Sequence, residues 1–129
     1  MTTHYKAGVW TDVHYVASDG TVRWTGPHPR LRDILDIAER IWNEEAQRDL
    51  TITELFGGRH TANSFHYIGM AADLRTNDLK PETLVAVKAK LVAALQPFNY
   101  TVIDEGSHLH LEPADAQSLY PAYLGATNV

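Results

Sequence analysis

Two stretches with helical periodicity and four short strand-like runs predict an α+β fold, because their order lacks strict β-α-β alternation. The expected architecture is a small, mostly antiparallel sheet with helices packed on one side. The helical stretches are residues 30–48 and 81–96, and the strand-like runs are 50–55, 69–75, 99–104 and 108–112. At 129 residues the chain has the size of one domain with a single core, so residues 1–129 are read as one unit.

Residues 5–24 alternate weakly, with Val9, Trp10, Val13, Tyr15, Val16, Val22 and Trp24 as the apolar positions. Ser18, Asp19 and Gly20 give a turn signal between two short runs, which predicts an N-terminal hairpin or irregular arm carrying His4 and His14 on its surface. Gly26-Pro27-His28-Pro29 breaks the chain, and His28 is read as a loop residue. In the first helix Leu31, Ile34, Leu35, Ala38, Ile41 and Trp42 fall on one face, while Asp33, Asp36, Glu39, Glu44 and Glu45 lie mostly on the other. Pro29 suits its first turn, having no N–H to leave unpaired.

Leu50-Thr51-Ile52-Thr53-Glu54-Leu55 alternates and is rich in β-branched residues, so it reads as a strand that Phe56, Gly57 and Gly58 terminate. A loop then leads to the strand carrying Asp73, with Gly69 supplying a bend. In the second helix Leu84, Val87, Leu91 and Leu95 line one face, Pro81 and Glu82 fit the first turn, and Pro97 ends the run. Residues 99–104 and 108–112 read as a hairpin with Gly106 in its turn. The tail, 113–129, is expected to hold one short helical turn near 114–119 and to cover a core edge with Tyr120 and Tyr123. No repeat or low-complexity segment is evident.

Chemistry-bearing residues concentrate in two places. Residues 58–76 (GRHTANSFHYIGMAADLRT) hold His60, His66 and Asp73, and residues 104–112 (DEGSHLHLE) hold His108 and His110. In an extended strand side chains alternate, so both imidazoles of a His-x-His pair share one face. Asp73 sits in an apolar run, where a carboxylate is costly unless paired; a metal is one way to pair it, and hydrogen bonds from loop amides are another. One histidine and one aspartate upstream, with a His-x-His pair downstream, compose a three-ligand zinc site with a fourth position open to water. Any single one of the seven histidines is more often a surface or hydrogen-bonded residue than a ligand, so the argument rests on the constellation.

The net charge of −5 argues against an electrostatic grip on nucleic acid or an anionic membrane. Without cysteine there are no disulfides and no thiolate ligands. The start lacks the basic and apolar regions of a secretory signal, and no apolar run approaches membrane-spanning length. The expectation is a monomer made in the cytoplasm, neither inserted in a membrane nor bound to nucleic acid, and brought to any external substrate by another route.

Ser64-Phe65-His66-Tyr67-Ile68-Gly69-Met70-Ala71-Ala72-Asp73 and Glu105-Gly106-Ser107-His108-Leu109-His110 together resemble the zinc D-Ala-D-Ala peptidases and the hedgehog domain, which share a fold. The likeness is nearest to small phage-type cell-wall peptidases and spans roughly half the chain, about residues 50–112. It implies one Zn²⁺ held by His66, Asp73 and His110. His108 would stand beside the water or substrate, with Glu105 as the general base and Asp104 as the alternative. The position just before the first histidine, acidic in some relatives, is Ser107. His60 corresponds to a further site histidine of the hedgehog-like version, or is a loop residue. Arg59 or Arg75 would take a substrate carboxylate, since a guanidinium matches its two oxygens.

The implied activity is hydrolysis of peptidoglycan peptides: D-Ala-D-Ala, L-Ala-D-Glu or a cross-bridge. Zinc would lower the pKa of its water toward ~7 and polarise the carbonyl, while the acid moves the proton. The alternative is a non-catalytic, zinc-stabilised binding module of hedgehog-like fold.

Overall fold

The computed structural model describes residues 3–6, 13–16, 22–25, 28–55 and 70–114. The order of elements is β1 (His4–Tyr5), β2 (Val13–Val16), β3 (Val22–Thr25), α1 (Pro29–Glu45), β4 (Thr51–Glu54), β5 (Ala72–Arg75), α2 (Pro81–Leu95), β6 (Tyr100–Asp104) and β7 (His108–Pro113), with a 3₁₀ turn over Gln96–Phe98. The fold is α+β. Five strands form a mixed sheet in the order β1-β4-β5-β7-β6. Only the β1–β4 pair is parallel, and the other three pairings are antiparallel. β2 and β3 form a separate antiparallel pair, the hairpin form of the expected hairpin or irregular arm, and the residues between them lie outside the described ones.

All six residues expected on the inner face of α1 are buried. Pro29 occupies its first turn, and His28 closes the N-terminus, its Nδ1 accepting the Arg30 N–H at 3.1 Å. His28 is thus a capping residue, a role the sequence reading did not assign. In α2, Val87, Leu91 and Leu95 are buried and Leu84 is only half-buried. One cluster joins the inner faces of both helices to Ile52, Ala72, Leu74, Leu109 and Leu111. Both helices therefore cover the same face of the sheet. Each buried leucine, isoleucine or valine of the cluster contributes about 1.5–3 kcal/mol.

Alternation along the strands decides what the opposite face carries. In β7, Leu109, Leu111 and Pro113 are buried while His108, His110 and Glu112 are half-buried. The register sets Ala72 against Leu111 and Leu74 against Leu109 on the core side, and Asp73 against His110 and Arg75 against His108 on the other. In β4 an irregularity between Ile52 and Glu54 gives Asp73 two neighbours, Thr53 and Glu54. That doubled residue is what a β-bulge produces, and it bends the strand. Among the described residues no helix is long and apolar enough to cross a membrane.

Candidate metal centre

The open face of the sheet gathers Asp73, Glu105, His108 and His110. Asp73 is 5% exposed, a carboxylate buried on a surface that otherwise carries polar groups. Its position follows from the register: it stands directly across from His110, whose Nδ1 is 2.8 Å from Asp73 Oδ1. The second carboxylate oxygen, Oδ2, is 3.5 Å from His108 Nε2. Thr53 donates from Oγ1 to the Asp73 carbonyl at 3.4 Å. Paired in this way, Asp73 avoids the penalty of an isolated buried charge.

Glu105 reaches the same point from the β6–β7 turn. Its Oε1 is 3.0 Å from His108 Nε2 and 3.8 Å from His110 Nδ1. The turn is held by Glu105 N–H donating to the His108 carbonyl at 3.0 Å, and Gly106 takes φ 91°, which L side chains rarely adopt. Asp104, one residue earlier, is on the helix side of its strand. It pairs with Lys88 of α2 at 3.1 Å and accepts the Gly106 N–H at 3.0 Å. The Gly106 bond, aided by Lys88, holds its pKa below the usual carboxylate value. Of the two acids weighed as general base, Glu105 therefore faces the cluster and Asp104 faces α2.

Asp73, Glu105 and His108 each offer a ligand atom, all within 4.8 Å of one another, so they could hold a metal ion. The donors are imidazole nitrogen and carboxylate oxygen, a set that suits a borderline divalent cation. His110 adjoins this trio through Asp73 and Glu105. Burial alone would lower the His110 pKa. The hydrogen bond to Asp73, with Glu112 Oε2 3.6 Å from the other ring nitrogen, outweighs that and pushes it up to about 9. The raised pKa favours the protonated ring at neutral pH, between the Asp73 and Glu112 carboxylates.

The structure thus brings together Asp73, Glu105, His108 and His110 from the sequence reading. His66, His60 and Arg59 lie outside the described residues. The sequence reading gave no role to Glu112, although the same alternation that pairs His108 with His110 puts Glu112 on their face. A cleft of about 250 Å³ opens beside Asp73 and His108, lined also by Lys6, Thr53, Glu54, Arg75, Asn77 and Ser107. Ser107 Oγ is 2.9 Å from His108 Nδ1, so both ring nitrogens of His108 are engaged.

No known family's sequence pattern matches this chain, and no curated protein matches it. The likeness to the zinc peptidases rests on the two short motifs.

Proposed function

We propose that the chain is a zinc-dependent peptidase acting on the peptide part of bacterial cell wall, of the D-Ala-D-Ala peptidase and hedgehog-like type. The observation that carries this reading is the convergence of a buried Asp73, two imidazoles and the Glu105 carboxylate beside an open cleft. The donor chemistry fits zinc, and the ligand set offered by the motif is His66, Asp73 and His110. A bound zinc would supply Lewis acidity toward the scissile carbonyl and a water acidic enough to react at neutral pH.

The remaining work falls to side chains. Glu105, on the exposed rim of the cluster, accepts the water's proton and returns it to the leaving amine. His108, fixed by Ser107 at Nδ1, turns Nε2 toward Glu105 and Asp73, and from there would steady charge developing on the carbonyl oxygen. His60, by its likeness to the hedgehog-like version of the motif, and Arg59, by the match of a guanidinium to a carboxylate, are the candidates for substrate binding.

The test is incubation of the zinc-loaded protein with purified muropeptides, with products read by mass. Cleavage at one peptide bond is the expected result and names the bond; intact muropeptides with zinc bound would remove the enzyme reading. One observation favours a second reading. Glu105 lies among the three residues able to share a metal. If it is a ligand, the acid assigned as base is no longer available for that role, and the site fits a zinc-stabilised binding module. Wall fragments held but not cut would be its signature.

A further inference from the structure

Among the described residues the five-stranded sheet ends in two edges of unequal length, β1 and β6. β1 is two residues long, whereas β6 runs five residues with no proline, lysine or bulge, the devices that usually blunt an open edge. Its one charged residue, Asp104, is paired with Lys88. Hydrogen-bond parity decides what β6 presents. The Ala114 N–H donates to the Asn99 carbonyl at 2.7 Å, and the Glu105 N–H to the His108 carbonyl at 3.0 Å. Odd-numbered residues therefore turn their backbone groups to β7, and Tyr100, Val102 and Asp104 turn theirs outward. The helix beside this edge is open too. Lys90–Glu45 ties one flank of α2 to α1, and Lys88–Asp104 ties the other to β6. Val85 and Val92 lie three residues before and four after Lys88, on that second flank, and are 69% and 51% exposed.

We propose that β6 is the contact of a symmetric dimer, in place of the monomer expected from the sequence: two copies of this chain pair antiparallel about Val102 and join their sheets into one. The register is self-complementary. Val102 meets its own copy through outward N–H and C=O groups, Thr101 of each copy stands across from Ile103 of the other, and Asp104 from Tyr100. Charge agrees with that register. The Arg30 guanidinium lies over the Tyr100 ring, 5.2 Å from its centroid, where the Asp104 of the other copy arrives, and the contact occurs twice. The helix layer agrees as well. From the level of Lys88 and Asp104, four residues along α2 advance about 6 Å. Two residues back along β6 cover about 6.6 Å, which brings Val92 level with Val102. The two copies of α2 then meet through Val92 near the two-fold axis and cover each other's exposed valines. An unrelated strand would meet the same backbone groups without this reciprocal pairing, so the occupant is a second copy. Both metal faces open on the same side of the joined sheet.

The test is the mass of the full chain by sedimentation equilibrium over a range of concentration, in chelator so that no shared metal can join copies. A rise from the mass of one chain to that of two is expected, and a single-chain mass up to millimolar concentration overturns the dimer. Val92→Lys changes only an exposed helix position, and should weaken association about tenfold by setting two like charges together. Val102→Pro removes no hydrogen bond to β7, because that N–H points outward, and should abolish pairing. Dimers that survive both variants place the contact elsewhere and overturn the proposal. The charge contact is tested by reversal. Arg30→Glu and Asp104→Lys should each leave single chains, since each sets like charges together twice. A one-to-one mixture of the two should recover the dimer, because both contacts are then opposite in sign, a rescue that misfolding would not show. A mixture that stays at the mass of one chain overturns the register about Val102.

Discussion

At the scale of single residues, the Asp73–His110 contact couples protonation to folding and to metal. The folded His110 pKa of about 9 lies above the ordinary histidine value of 6.5. A raised folded-state pKa means the folded protein binds the proton more tightly, so the pair's stabilisation is fully present below pH ~6.5 and is lost as pH rises through ~9. In the metal-free protein the urea midpoint should therefore fall between these values, and Asp73→Asn should flatten that slope. A midpoint equally steep in the variant would assign the slope to another group. Zinc needs the unprotonated ring, so zinc affinity should rise across the same interval. Glu105 gives the second residue-scale prediction. Glu105→Gln keeps the size of the side chain but cannot accept a proton. As a base variant it should retain zinc and lose about 10²–10⁴-fold in rate, mainly in kcat. Loss of zinc instead would make Glu105 a ligand, as its place in the metal-capable trio allows.

At the scale of elements, the β6–β7 turn decides which acid meets the metal cluster. Strand alternation turns Asp104 toward Lys88 and α2, and the turn then swings Glu105 to the other face. Gly106 holds φ 91°, and an added Cβ would meet nothing within 4 Å. The cost of Gly106→Ala is therefore backbone strain without a clash, about 1–2 kcal/mol. Thermal melts should show that loss, and the rate should fall further than stability alone explains, because Glu105 is adjacent. A melt unchanged from the parent would mean the turn has an alternative geometry. The same elements show what could be read beforehand. The inner face of α1 follows from spacing alone, and so does the shared face of His108 and His110. β1 is two residues long and exists because β4 offers it an edge, a tertiary contact with no local signature. Lys6 could not be placed at the cleft until that pairing was known. Separating Glu105 from Asp104 likewise needed the exact strand end, which a sequence pattern leaves uncertain by a residue or two.

At the scale of the whole molecule, the sheet divides stability from chemistry. The helices and the apolar residues of β4, β5 and β7 form the core on one face, and Asp73, His108 and His110 occupy the other. Trp42, 1% exposed and far along α1, belongs wholly to the first. Trp42→Ala should cost about 3–5 kcal/mol through the cavity it leaves, yet the fraction that stays folded should bind zinc as the parent does. The metal face has a different thermodynamic signature. Its candidate ligands come from strands distant in sequence, Asp73 on β5 and His108 on β7, so the unfolded chain cannot present them together. A metal that binds only the folded state stabilises it by RT ln(1 + [L]/Kd), about 2.7 kcal/mol when free zinc is a hundred times Kd. Chelation should accordingly lower Tm, and the size of the drop should grow with the logarithm of the zinc concentration used before chelation. Asp73→Ala should melt at one temperature with or without chelator, since it has lost the carboxylate that both imidazoles approach. If the parent's melt is itself indifferent to chelator, the cluster holds no metal under those conditions, and the neighbouring imidazoles stabilise Asp73 without one.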